Sequence, residues 1–182
     1  MEITKTFYAR NRAEWRQWLQ ENYDKEPEIW LVYYLKASGK PRVAYDDAVE
    51  EALCFGWIDS TAKKLDEEST VQKFSPRKPK SFWSELNKER ARKLIANGLM
   101  TEAGLRKLGS VLEEGFEFPA DILEALKADP QTWENFSRFP ESYRRIRVAF
   151  VADARKRPDV FAQRLAYLLK MTALNKQYGT KV

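Results

Sequence analysis

The residues of this chain best suited to chemistry gather between positions 54 and 87. Cys54-Phe-Gly-Trp-Ile-Asp-Ser60 brings a thiol, two large aromatics, a carboxylate and a hydroxyl together, and Lys63, Phe74, Arg77, Trp83 and Asn87 follow. Asp59 and Ser60 stand where a helix is expected to turn into a strand, a common place for side chains aimed into a cleft. If the strands after Gly56 fold back as a hairpin, Trp57, Phe74 and Trp83 can form an aromatic pocket edged by Asp59, Ser60, Lys63, Arg77 and Asn87. An apolar cavity with a few convergent polar groups is the general form of a ligand site. The one catalytic candidate is Asp59, a carboxylate whose pKa aromatic surroundings would raise, with Lys63 or Arg77 as charge partner.

Little else supports catalysis. The chain has no histidine and one cysteine, which removes Ser-His-Asp and Cys-His catalysis and zinc sites built on those ligands. Acid–base work would fall to Asp, Glu, Lys or Tyr, none of which titrates near neutrality unperturbed. No metal and no cofactor is expected. Ser60-Thr-Ala-Lys63 matches the S-x-x-K motif of penicillin-binding proteins, but the S-D-N and K-T-G partners are missing and Gly179-Thr-Lys181 runs in the wrong order. Ser38-Gly-Lys40 lacks the rest of a P-loop. The chain therefore reads as a binding protein for an anionic or amphipathic ligand or peptide, with an Asp59 enzyme as the alternative.

Each of these residues also has a plainer reading. Trp57 and Trp83 are the kind of side chain that fills cores, and Asp59 can simply pair with Lys63, Lys64 or Arg77. Ser84 is placed to cap a helix, with Asn87 in its first turn. Cys54, on the apolar side of a helix, fits inert core.

The surrounding sequence bounds the rest. A chain of 182 residues, 43% apolar and 13% aromatic, suffices for one cored domain, or for one with a helical appendix. No apolar run approaches the roughly 18 residues of a membrane span, and Met1-Glu-Ile-Thr-Lys5 has no signal-peptide character, so the cytoplasm is expected. The net charge of +5 is concentrated. Residues 73–93 carry eight basic side chains against Glu85 and Glu89, and residues 138–157 carry seven against Glu141 and Asp153. Two basic zones suggest an anionic partner, and nucleic acid is the second functional reading, with Arg144, Arg145, Arg155 and Lys156 on phosphates and Phe82 and Trp83 stacking on bases. Solvated helix faces explain the same charge.

The elements that must position these residues follow from periodicity. Asn11 with Glu14 predicts the start of a helix over 12–22 bearing Trp15, Trp18 and Leu19. Glu28–Lys36 predicts a strand buried on both faces. Asp46 is expected to cap a helix that stops at Gly56, and Ile58–Leu65 and Thr70–Phe74 a hairpin across Asp66-Glu-Glu68. Ser75-Pro-Arg-Lys-Pro-Lys80 is expected to be an exposed basic loop because of its prolines. Ser84 and Thr101 cap helices, the second carrying Leu105, Leu108, Val111 and Leu112. After a break at Gly115–Phe118 only helices follow, begun near Pro119, Pro130, Pro140 and Pro158. In the third of these, Tyr143, Ile146 and Phe150 are expected to face one way. The fold class is α+β: predominantly helical, with a small antiparallel sheet of about three strands and a C-terminal helical region.

Ala52-Leu-Cys-Phe-Gly-Trp-Ile-Asp-Ser60, Phe74-Ser-Pro-Arg77, Trp83, Ser84, Asn87 and Gly98-Leu-Met-Thr-Glu-Ala-Gly104, with Glu28–Lys36 upstream and Pro119–Leu126, Phe136, Tyr143 and Arg164 downstream, resemble the YdeI/OmpD-associated (bacteriocin-protection, OmdA-like) family. The resemblance extends over nearly the whole chain. It implies a YdeI-like α+β domain over 1–115 and an OmdA-like helical region over 116–182, expected to pack on it. It also implies a bacterial protein linked to bacteriocin or antimicrobial-peptide protection and stress resistance, with no reaction or cofactor attached. Ala154-Arg-Lys-Arg-Pro-Asp-Val160 departs from the family's Ala-Lys-x-Pro-Glu-Thr-Arg pattern, so no role of that threonine and arginine carries over.

Overall fold

The computed structural model describes residues 2–180; Met1, Lys181 and Val182, and with them the ends of the N-terminal stretch and of the Gly179-Thr-Lys181 tripeptide read above, lie outside the described residues. The chain divides into two compact units, Met1–Ser81 with Ala91–Ser110, and Phe82–Arg90 with Val111–Val182.

In the first unit the order is β1 (Thr6–Phe7), α1 (Arg12–Asn22), β2 (Ile29–Tyr34), α2 (Tyr45–Cys54), β3 (Trp57–Lys64) and β4 (Ser69–Pro76). After these come α3 (Glu85–Ala96), which begins among the residues of the second unit, and α4 (Glu102–Leu108). The sheet order is β1-β2-β4-β3, with β2, β4 and β3 antiparallel and β1 parallel to β2. The expected antiparallel sheet of three strands is thus corrected to a mixed sheet of four. A two-residue strand is too short to show alternation. Its parallel pairing follows from α1, the crossover that returns the chain so that β2 runs in the direction of β1.

Local chemistry places the helices. The Asn11 side chain accepts from the Glu14 amide at 3.0 Å, and Glu14 reaches back to the Arg10 amide at 2.9 Å, a variant of the reciprocal cap. Asp46 is not the cap expected of it: α2 starts at Tyr45 behind Ala44, and Asp46 lies in the first turn, where its charge suits the helix dipole. At the other end of α2 the Cys54 carbonyl accepts from both the amide (3.1 Å) and the hydroxyl (2.5 Å) of Thr101. Thr101 in turn caps α4, taking the Gly104 amide on its side chain. One threonine thereby serves two helix ends, each of which needs partners outside its own helix. α4 ends at Leu108, short of the Val111 and Leu112 expected on it.

The basic loop expected over residues 75–80 is a second correction. Strand β4 runs on to Pro76, and Arg77 is buried at 3% exposure, leaving Lys78, Pro79 and Lys80 exposed. Proline is tolerated in this central strand because β2 pairs no further than Ile29 with Phe74, so Pro76 has a partner only on the β3 side.

The second unit contains α5 (Ala120–Lys127), α6 (Pro130–Arg138), α7 (Glu141–Ala152) and α8 (Pro158–Ala173). Pro130 and Pro158 occupy first-turn positions, Pro119 and Pro140 stand one residue before their helices, and the Asp129 side chain accepts from the Thr132 amide at 2.7 Å. Ile122, Leu126, Phe136, Val148, Val151 and Leu168 form its core. On α7, Ile146 is buried as expected but Phe150 is exposed, and Arg147 takes a buried place.

The Thr101 junction leaves no room for a side chain at Gly104. A Cβ there would lie 2.4 Å from the Cys54 carbonyl oxygen and 2.8 Å from that of Leu53. Gly104→Ala is therefore expected to lower stability by about 1–3 kcal/mol in urea denaturation, the range for forced overpacking. Gly115→Ala, where the added atom meets open space, should stay within about 0.5 kcal/mol of the parent.

Candidate functional site

The register of the sheet decides which side chains meet. Tyr33 pairs with Thr70, Leu31 with Gln72 and Ile29 with Phe74, and on the other side Asp59 pairs with Phe74 and Ala62 with Gln72. Partners across antiparallel strands share a face, so Tyr33, Thr70, Gln72, Phe74, Asp59 and Ala62 all point one way. A register shift between Asp59 and Ala62 keeps both on that face although an odd number of positions separates them. This is the work of a β-bulge.

One end of the face is apolar. Trp15 of α1 stacks on Trp18 (5.3 Å between centroids, 10° between planes) and tilts against Phe74 at 5.2 Å, while Trp18 meets Trp57 edge-on at 5.8 Å. The indoles are hydrogen-bonded, Trp15 Nε1 to the Ala48 carbonyl and Trp57 Nε1 to the Tyr23 carbonyl, both at 3.0 Å. Trp57 and Phe74 thus lie in the packing between the helices and the sheet, 1% and 0% exposed.

The other end is polar. Asp59 Oδ2 accepts from the Tyr45 hydroxyl at 2.6 Å and from Gln72 Nε2 at 3.2 Å. Tyr33, Arg42, Tyr45, Thr70 and Gln72 line an adjoining cavity of about 200 Å³. Tyr33 is 6% exposed, yet its hydroxyl has no hydrogen-bond partner among the described residues. Burial, with the nearby Tyr45 and Asp59, drives its pKa upward, and Arg42, whose guanidinium lies 5.7 Å from the ring centroid, pulls the other way. The hydroxyl is a proton donor kept out of water, beside a carboxylate fixed by two donors and a cation at the rim.

The remaining sequence candidates are placed as follows. Ser60 is exposed at the bulge. Lys63 pairs with Val71 on the opposite face, its ammonium 5.6 Å from the Trp30 ring. Arg77 donates from its amide to the Gly56 carbonyl (2.9 Å) and from Nη1 to Ser81 (3.1 Å), and burial pushes its pKa down to about 10 against the pull of Asp59. Trp83 and Asn87 belong to the second unit. Trp83 is buried, the Ser84 side chain caps α3, and Asn87 accepts from Arg90 Nη1 at 3.1 Å. Within the first unit, then, Asp59 and Arg77 share one electrostatic neighbourhood, and the direct partners of Asp59 are Tyr45 and Gln72. Sequence reasoning missed Tyr33, Arg42, Tyr45 and Gln72. The available signal was the polar Gln72 two positions before Phe74, and so on the same side of β4.

A second charged cluster is structural. Glu51, 2% exposed, receives Arg12 Nε and Arg16 Nη1, each at 2.6 Å, and Arg12 also reaches Glu50 and Asp47. Beside it the Cys54 thiol is pushed up to about 11, first by burial and then by the charge of Glu51.

The basic zones hold many internal ion pairs. Lys73 pairs with Glu28, Lys88 with Glu85 and Glu114, Arg138 with Glu134, and Arg155 with Asp121. Arg145 meets Glu85, Glu89 and Glu141.

Two family models match the chain. Residues 7–107 match a domain of unknown function (DUF8412), and residues 115–175 match the family described as bacteriocin-protection, YdeI or OmpD-associated. The motifs between residues 52 and 104 fall within the first match. No curated protein and no solved structure matches the chain. Among the described residues, no helix is long and apolar enough to cross a membrane.

Two measurements probe this chemistry without a ligand. Tyr33→Phe removes a buried hydroxyl that has lost its water, and should raise unfolding stability by about 1 kcal/mol, at the low end of the cost of an unsatisfied buried group. A drop in stability would mean that the hydroxyl is satisfied in solution. For Cys54 the raised pKa sets the sign: its contribution to stability is full below about 9, where the unfolded thiol titrates, and is lost as pH rises through about 11. Cys54→Ala should flatten the pH dependence of stability between those values.

Proposed function

Since the chain belongs to the DUF8412 domain family and carries a bacteriocin-protection, YdeI or OmpD-associated region, we propose that it is a non-catalytic cytoplasmic protein that binds an amphipathic, peptide-like ligand in its first unit. The observation that carries this reading is the Tyr33 hydroxyl, buried and without a partner among the described residues, on a side chain that lines a cavity. Buried polar groups are nearly always satisfied, and an exception at a cavity wall is what a ligand's polar atom would complete. A carbonyl or carboxylate of the ligand takes the Tyr33 hydroxyl and Arg42, and an amide or ammonium group takes Asp59. Tyr45 and Gln72 hold that carboxylate in place. The fit of a donor–acceptor pair to a peptide backbone or terminus is consistent with the bacteriocin protection that the family description names.

The pocket is preferred to nucleic-acid binding because much of the charge in residues 73–93 and 138–157 is already committed to carboxylates of the chain. Cations held in this way have less to gain from phosphates than solvated ones. It is preferred to an Asp59 enzyme because Asp59 is already engaged by Tyr45 and Gln72.

Calorimetric titration of the full chain with a short amphipathic peptide tests the reading. Tyr33→Phe and Asp59→Asn should each weaken binding about tenfold or more, the loss expected when one buried or charged hydrogen bond is removed. Unchanged affinity in both variants would rule the pocket out.

A further inference from the structure

The second unit holds a cavity of about 280 Å³ between the start of α7 and the segment after α8, walled by Ser142, Tyr143, Ile146, Tyr178, Gly179 and Thr180. Against its wall lies a buried arginine. Arg147 is 6% exposed, and its buried Nε has no hydrogen-bond partner among the described residues. Its guanidinium instead lies among aromatic rings, 5.8 Å from the centroid of Tyr143, 5.7 Å from Phe150 and 5.3 Å from Tyr178. Ring faces compensate a buried guanidinium only in part, whereas a carboxylate or phosphate meets both its charge and its forked donors.

The surrounding residues keep the position open. Glu141, one turn and a half before Arg147, is held by Arg145, and Asp121 by Arg155, so these carboxylates are spent elsewhere. Gly179, at φ 80°, brings its backbone so close that a Cβ there would fall 2.1 Å from Arg147 Nη1. The buried Tyr178 hydroxyl also lacks a partner among the described residues, while the Tyr143 hydroxyl accepts from the Tyr178 amide at 3.2 Å and ties the segment to α7. Two of the rings that flank Arg147, and the glycine pressed on it, are walls of the cavity.

We propose that this cavity is a binding site for a small molecule bearing a carboxylate or phosphate. The anionic group is taken by Arg147, with the hydroxyls of Ser142, Tyr178 and Thr180 as further donors, and a flat apolar part lies against Tyr143 and Tyr178. Arginine suits this role because its planar donors match either anion in two-point contact. The site is independent of the first-unit pocket and takes a different ligand.

The test is titration of the full chain with phenyl phosphate, benzoate and inorganic phosphate at constant ionic strength, with chloride as reference, read by calorimetry and by thermal melting. At least one aromatic anion should bind and raise the melting temperature. Arg147→Met, which keeps length and burial but removes the charge, should weaken that binding at least tenfold, and Arg147→Lys should weaken it less. Tyr33→Phe should leave it at its parent value, so this proposal and the first-unit reading fail separately. Absence of binding by all three anions, or equal binding by Arg147→Met, overturns the proposal. Should Arg147→Met not fold, the Nε–H resonance of Arg147 in the parent decides: it must shift on titration, and a stationary resonance overturns the site.

Discussion

The indole of Trp15 has no exposed surface, and its hydrogen bond to the Ala48 carbonyl holds α1 and α2 together over the sheet. Most of the first unit follows from that placement. The ring stacks on Trp18, whose edge-on contact fixes Trp57 at the start of β3, and it presses on Phe74 in the central strand. Large aromatics in such offset and edge-on pairs contribute about 0.5–1.5 kcal/mol each beyond the area they bury. The cluster thereby anchors three elements at one end of the sheet face, and the opposite end is left to polar side chains.

That division explains how a carboxylate comes to lie on an inward face. Asp59 follows Trp57 by two positions and shares its side of β3, so burying one brings the other in. A second-strand amide, Gln72, and a hydroxyl from the start of α2, Tyr45, then meet it, which keeps a half-buried charge hydrogen-bonded. Tyr33 pays for proximity to this group with an unsatisfied hydroxyl. A core built for stability alone would place phenylalanine there.

The two units place their unsatisfied groups differently. In the first, Tyr33 brings a neutral hydroxyl beside a negative charge. In the second, Arg147 brings a cation among rings, next to a cavity with hydroxyls on its walls. The matching family models also divide the chain between residues 107 and 115, so each part carries its own cavity and its own polar chemistry.

The sequence by itself determined the α+β class, the capped starts of α1 and α4, the burial of β2 and the run of helices after Gly115. Each rests on neighbours in the chain: a side chain capping an amide three residues on, or apolar residues at a fixed period. It also pointed to Asp59 and Arg77 as members of a shared electrostatic neighbourhood. Only the tertiary structure decided that β1 joins the sheet, that β4 continues through Pro76, and that Asp59 is held by Tyr45 and Gln72. Those outcomes depend on strand register and on a bulge, and shifting a register by one residue would send the same side chains to the opposite face. Lys63 and Asp59, four positions apart and natural partners on paper, end on opposite faces for that reason.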